Sequence, residues 1–325
     1  MTTDSLPTRL ADYIKELLPW AHGHQRKAIT TFVAAIIDQQ TGCQAELART
    51  QGNQEAAVTR LSRLLHNDRL QPKDFAEWLC RQALRQVPRT GRVRFAIDWT
   101  SEAHQHLRVV SVVVGRRALP SFWRAYDPTV LKGRMKRYEL AVIKRACTLI
   151  LQYVAPPRVR LTADRGCADA GVFALLDALG IRYIIRVKGD VKVALDGQWR
   201  QRNTLRFAGT ARRRHLGCIP YCARSPQRLC ITLSRARDKT GHWGIWYLVS
   251  HQPLRAQQMA KEYGHRFCCE EGCRDAKWSR GFAKARIAAM HAWSRLFALC
   301  AIALLVLTSV GTRLLLRRGP QAQRL

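Results

Sequence analysis

Four short apolar runs constrain this chain more than any other feature of its sequence: RVRFAIDWT (92–100), VVSVVVG (109–115), RVRLTAD (158–164) and IRYIIRV (181–187). In the first, Val93, Phe95 and Ile97 face one way and Asp98 and Thr100 the other, the alternation of a β-strand. The second and fourth are nearly unbroken, as suits strands covered on both faces. FWRAYD (122–127) reads as a further strand. Arg134 to Val154 and Ala168 to Leu179 carry helical spacing, the latter stopped by Gly180. Three strands, helix, strand, helix, strand predicts an α/β core built on a mixed sheet.

Other segments flank and interrupt this core. Residues 1–88 read as a helical domain, with one apolar stripe at Leu10, Tyr13, Ile14, Leu17 and Leu18 and another at Ile29, Phe32, Val33, Ile36 and Ile37. A short helix from Cys43, a break at Gln51-Gly52-Asn53 and a helix from Glu55 to Leu65 have the outline of a helix-turn-helix, with Arg60 and Arg63 on its second helix; an ordinary helical hairpin fits equally well. The core divides into 89–189 and 248–325. Between them, 190–247 reads as a β-rich insertion with Trp199, Trp243 and Trp246, and it has no acidic residue from Gly197 to Arg237 but ten arginines.

The chain has 55 Lys and Arg against 23 Asp and Glu among 325 residues, a formal charge of +32. That excess implies a polyanionic partner, nucleic acid before an anionic membrane. The 11 cysteines form no paired CxxC set, although His215, Cys218, Cys222 and Cys230, or Cys268, Cys269 and Cys273, are close enough in sequence to raise the question of zinc. Met1 to Trp20 is polar and then amphipathic, which predicts no export signal, reduced thiols and a cytoplasmic location. The uncharged run Leu296–Thr312 lies between Arg295 and Arg313 near the lower limit for a membrane span. The reading preferred here is a packed core helix and no membrane.

Asp98 and Asp164 each fall at the C-terminal end of a predicted strand, where open α/β sheets place ligands. On neighbouring strands the two carboxylates would repel unless a divalent cation lay between them, and oxygen-only donors select Mg²⁺ or Mn²⁺. A third carboxylate comes from AQQMAKEYGHRFCCEEGCRDAKW (256–278), read as one helix. At about 100° per residue, Tyr263, Arg266, Glu270, Arg274 and Lys277 share an arc of about 80°. Glu271 and Asp275 lie off it, which selects Glu270 over its neighbour.

The spacing Tyr263-x2-Arg266-x3-Glu270-x6-Lys277 resembles the Y-(2)-R-(3)-E-(6)-K signature of bacterial insertion-sequence transposases of the DDE class, in the insertion-sequence-four family and its relatives. IDWT resembles the D-x-T around the family's first aspartate, LTADRG the D-R-G around its second, and WYLVS the strand before the signature helix. The resemblance covers roughly residues 90–310. Phe267 and Cys273 depart from it, at positions often held by Trp and Phe.

The resemblance implies a ribonuclease-H-like catalytic core with an inserted β-rich subdomain, and the helical domain of residues 1–88 is read beside it as DNA-binding. It also implies two Mg²⁺ ions per active site held by Asp98, Asp164 and Glu270, in-line phosphoryl transfer on transposon ends, and a homodimer on double-stranded DNA. Tyr263, Arg266, Arg274, Lys277 and Phe267 would contact DNA, and Trp199, Trp243, Trp246 or Phe267 would hold a flipped base. The alternatives are a nuclease of the same core without strand transfer and a non-catalytic DNA-binding protein.

Overall fold

The computed structural model describes residues 6–318, apart from 103–104, 206, 208–209, 238–240, 276–281, 283–284 and 286. The chain opens with helices α1 (Leu6–Leu17), α2 (Gly23–Gln39), α3 (Gln44–Arg49), α4 (Gln54–Leu65) and α5 (Pro72–Arg85). Strands β1 (Val93–Glu102), β2 (Gln105–Val114) and β3 (Arg117–Tyr126) follow, then α6 (Pro128–Leu131), α7 (Met135–Leu151), β4 (Val159–Ala163), α8 (Ala170–Ala178) and β5 (Arg182–Val187). The remainder is β6 (Lys192–Leu195), β7 (Gln198–Gln201), β8 (Arg213–Tyr221), β9 (Gln227–Arg237), β10 (Trp243–Ser250), α9 (Ala256–Gly264), α10 (Phe267–Arg274) and α11 (Met290–Arg318).

The fold is α/β on one ten-stranded mixed sheet in the order β3-β2-β1-β4-β5-β10-β9-β8-β6-β7. β1, β4 and β5 run parallel, and β10 is antiparallel to β5. The segment expected as a β-rich insertion holds β6 to β9 and the start of β10, and these strands lengthen this sheet. β10 takes the edge of β5 through Tyr247 to Val249, and β9, β8, β6 and β7 add on in turn. Backbone groups on an exposed strand edge need partners, and the insertion supplies them.

By its internal contacts the chain forms two compact units: Met1–Pro88 with Trp99–Lys132 and Glu270–Leu325, and Arg89–Asp98 with Gly133–Cys269. In the first, α1–α5 are not closed upon themselves, since α5 packs on β3, and α11 on α2, α4, α5 and β3. The expected helical stripe of α2 is buried at Ile29, Phe32, Val33 and Ile36. α3 and α4 flank a turn in which Gly52 has φ +77° and Asn53 Oδ1 accepts from Ala56 N–H at 3.0 Å, an N-cap. Arg60 and Arg63 are exposed on α4. Met290–Thr312 of α11 is long and apolar enough to cross a membrane, but 72% of its most apolar stretch is buried inside the protein. Arg295, 4% exposed, anchors it by donating to the Leu65 and Leu70 carbonyls at 2.8 Å, which satisfies orphan acceptors at and beyond the end of α4.

The second unit is organised by the parallel strands. Phe95, Ile97, Leu161, Tyr183, Ile184 and Ile185 are at most 1% exposed, and α8 covers them in part through Phe173, stacked on Tyr183 at 5.6 Å. The opposite edge of the unit contains a disulfide between Cys218 and Cys230, register partners on β8 and β9. The expectation that every thiol is reduced is therefore corrected for this pair, which the sequence could not identify because it depends on cross-strand register.

Candidate active site

β1 and β4 pair in parallel from Val93↔Val159 to Ile97↔Ala163, so Asp98 and Asp164 are the next residues on the two strands. At a strand spacing of about 4.8 Å, the two backbones hold these aspartates side by side. Both are partly exposed. β4 ends at Ala163 as expected, whereas β1 continues to Glu102, so Asp98 lies within its strand and not at the end of it.

The DRG sequence explains how Asp164 is oriented. Its Oδ1 accepts from Gly166 N–H at 3.1 Å, capping the turn Arg165–Cys167, with the Cys167 sulfur 3.8 Å away. A Cβ on Gly166 would stand 3.0 Å from that same oxygen, so glycine is the residue that leaves the carboxylate room. The turn is tied to α7 as well. Lys136 donates to the Gly166 carbonyl and pairs with Glu139 at 3.1 Å, while the Cys167 thiol donates to Glu139 at 3.5 Å. Glu139 is 1% exposed, a buried acid that sequence reading passed over because one carboxylate on a helix resembles any surface residue.

The signature segment departs from the expected single helix. α9 ends at Gly264 and α10 begins at Phe267. Across the junction His265, Arg266, Cys268 and Cys269 donate to carbonyls three residues back, the tighter 3₁₀ pattern. A single helical wheel therefore does not extend from Tyr263 to Glu270. Glycine disfavours helix, and the side chains on either side of it are tethered separately. Before the break, Glu262 takes Arg92 at 2.9 Å and Arg94 at 2.8 and 3.0 Å. After it, Arg266 points its Nη1 to 3.8 Å from Asp98 Oδ2.

Of the residues expected to contact DNA, Tyr263 is 1% exposed and belongs to a core cluster with Ile184, Leu248 and Met259. Burial raises its pKa, while Arg266 and Arg186 act the other way. Arg266 is 5% exposed, over the rings of Tyr263 and Phe267 at 5.7 and 5.3 Å. Phe267 is 36% exposed and packs on Trp246 at 5.5 Å, and Trp246 in turn packs on Tyr263. Trp199 and Trp243 are exposed, and Trp243 lines an open cleft of about 410 Å³ with Arg212 and Arg235. Glu270 and Arg274 lie on α10, within the other unit, Glu270 half-buried and Arg274 exposed beside Glu271 at 3.9 Å. Lys277 lies outside the described residues.

Asp98 and Asp164 supply the oxygen donors that a hard divalent cation takes. Among the described residues, no three His, Cys, Asp or Glu side chains gather closely enough to hold a metal. What the second unit assembles is thus two adjacent carboxylates with a guanidinium against one of them. Comparison with protein-family models and with curated proteins finds no match to this chain.

Proposed function

We propose that this chain is a DNA transposase of the DDE class, cleaving and joining DNA by metal-dependent phosphoryl transfer. The observation that carries the reading is the register of β1 and β4, which brings Asp98 and Asp164 side by side. The strand order β3-β2-β1-β4-β5 with β1, β4 and β5 parallel supports a ribonuclease-H-like core. The charge of +32 supports DNA as the substrate.

Mg²⁺, held by Asp98, Asp164 and Glu270, would supply charge neutralisation at the scissile phosphate and activation of the attacking hydroxyl or water. The chain's own contribution is positional. The Gly166 turn fixes Asp164, the β1–β4 ladder fixes Asp98, and Arg266 brings positive charge beside them. A guanidinium there lowers the repulsion between the carboxylates and is placed to hold a phosphate oxygen near the reacting centre. No covalent enzyme intermediate is required, so no nucleophilic side chain is needed.

The test is incubation of the purified protein with a duplex containing the sequences that flank its gene, in Mg²⁺ or Mn²⁺. Strand cleavage at a fixed position and joining to a second duplex are expected. Asp98→Asn, Asp164→Asn and Glu270→Gln should each lower cleavage at least about 100-fold with DNA binding retained, and Glu271→Gln should be mild. Metal-independent cleavage, or an Asp98→Asn variant as active as wild type, would refute the reading.

A further inference from the structure

Four residues before each aspartate, on the same face of the sheet, lies an arginine. Arg94 of β1 is the register partner of Arg160 of β4, and Arg160 is the partner of Arg182 of β5. Register partners in a sheet project to one side, so three guanidiniums form a row across three strands spaced about 4.8 Å apart. Arg92, two residues before Arg94, extends the row. Glu262 and Arg266 come from one segment and touch Arg94 and Asp98 respectively, in keeping with a shared face.

The acids here are few and already engaged. Glu262 is bound by Arg92 and Arg94. Asp177, at the far edge, is 3.8 Å from His251. Arg160 has neither: it is 2% exposed, and its Nε and Nη1 are buried without a hydrogen-bond partner. Burial pushes its pKa down to about 10, with Arg92, Arg182 and Arg94 acting the same way and Glu262 against. Burial and these arginines also depress His251 and His265. Four guanidiniums thus face two carboxylates, and the innermost guanidinium has unsatisfied donors. Such a group lacks an anion.

We infer that Arg92, Arg94, Arg160 and Arg182 form a binding site for a DNA backbone phosphate, separate from the carboxylate pair. The inference rests on DNA being the substrate. Arg160 supplies the buried donors, and the partly exposed Arg92, Arg94 and Arg182 admit the strand. Four residues of strand place the row about 13 Å from the aspartates. At a rise of about 3.4 Å per nucleotide, that is a phosphate about four nucleotides from the scissile one. The site would fix the register of the duplex on the enzyme.

The experiment uses the full chain with Arg182→Gln, because Arg182 is outside the Glu262 clamp, and Arg182→Lys as the charge-preserving control. Thermal melting verifies that both variants fold. Binding of a cleavable duplex is measured in Ca²⁺ across a salt series, and the duplex is then substituted with one neutral methylphosphonate at successive positions. Arg182→Gln should weaken binding about 5- to 10-fold and make the log K against log salt slope shallower by about 1, as for one lost phosphate contact. Arg182→Lys should keep the slope. A methylphosphonate about four nucleotides from the cleaved bond should weaken wild type and leave Arg182→Gln unaffected.

A folded Arg182→Gln variant with wild-type affinity and slope would overturn the site while leaving the transposase reading intact. A wild-type protein that binds no duplex would overturn both. Should inorganic pyrophosphate raise the melting temperature through Arg182 while duplex binding ignores that residue, the occupant is a free anion and DNA is overturned.

Discussion

Arg266 Nη1 lies 3.8 Å from Asp98 Oδ2, and both side chains are largely removed from solvent. The guanidinium therefore balances charge at the carboxylate pair, and under the proposed function it would also hold a phosphate oxygen. Arg266→Ala should lower single-turnover cleavage about 10- to 100-fold. Arg266→Lys keeps a point charge but loses the planar fork, and should restore only part of the rate. A rate within a factor of about two of wild type for Arg266→Ala would remove the residue from the reaction.

Glu262 is the anchor of α9. Burial pushes its carboxyl pKa up, but hydrogen bonds and charge from Arg94 and Arg92 outweigh burial and hold it below its ordinary value. A carboxyl depressed in the folded state stabilises the fold above its unfolded pKa, about 4.3, and that contribution is lost as pH falls through the lower folded value. Glu262→Gln should cost about 1–3 kcal/mol at pH 7. Chemical denaturation of both proteins between pH 7 and pH 3 should show a gap that is constant above about pH 5 and narrows below it. A gap independent of pH would mean that the clamp acts through packing.

A Cβ added at Gly166 would crowd Asp164 Oδ1 at 3.0 Å, so that carboxylate would have to give way. Gly166→Ala should displace the Asp164 carboxylate by a few tenths of an ångström and lower cleavage about 10-fold or more, with little change in melting temperature. Equal loss of stability and activity would indicate a general disruption of the turn.

Salt should weaken duplex binding steeply, because affinity that comes from lysine and arginine is gained by counterion release. The expected slope of log K against log salt is steeper than about −3. A shallower slope would assign the positive charge to some other purpose.

The strands were legible because each announces itself locally. β1, β2, β4 and β5 fall on the apolar runs, and the aspartates follow from where those runs turn polar. The partners of those aspartates were legible only in part. The spacing of Tyr263, Arg266 and Glu270 implies one helix, but the chain tightens at His265 and Arg266 because Glu262 and Arg266 are held by groups about 170 residues away in sequence. Glu139, Arg160 and the Cys218–Cys230 pair were missed for the same reason. Their roles are set by what lies across a strand or beneath a turn, and no local pattern encodes that. Nor could the insertion be seen to extend the sheet, since edge pairing depends on which edge is left open.

The last long helix has a consequence for how the protein is made. Arg295 closes carbonyls at Leu65 and Leu70, Ser294 accepts from the Trp123 indole at 2.9 Å, and α11 packs against α2, α4, α5 and β3. These partners leave the ribosome more than 160 residues before the helix that completes them. Until it emerges, the apolar faces of α2 and α5 lack their cover and the most hydrophobic stretch of the chain is still to come. The first unit therefore closes only once α11 has been made, and its early helices are the part of the nascent chain most in need of a chaperone.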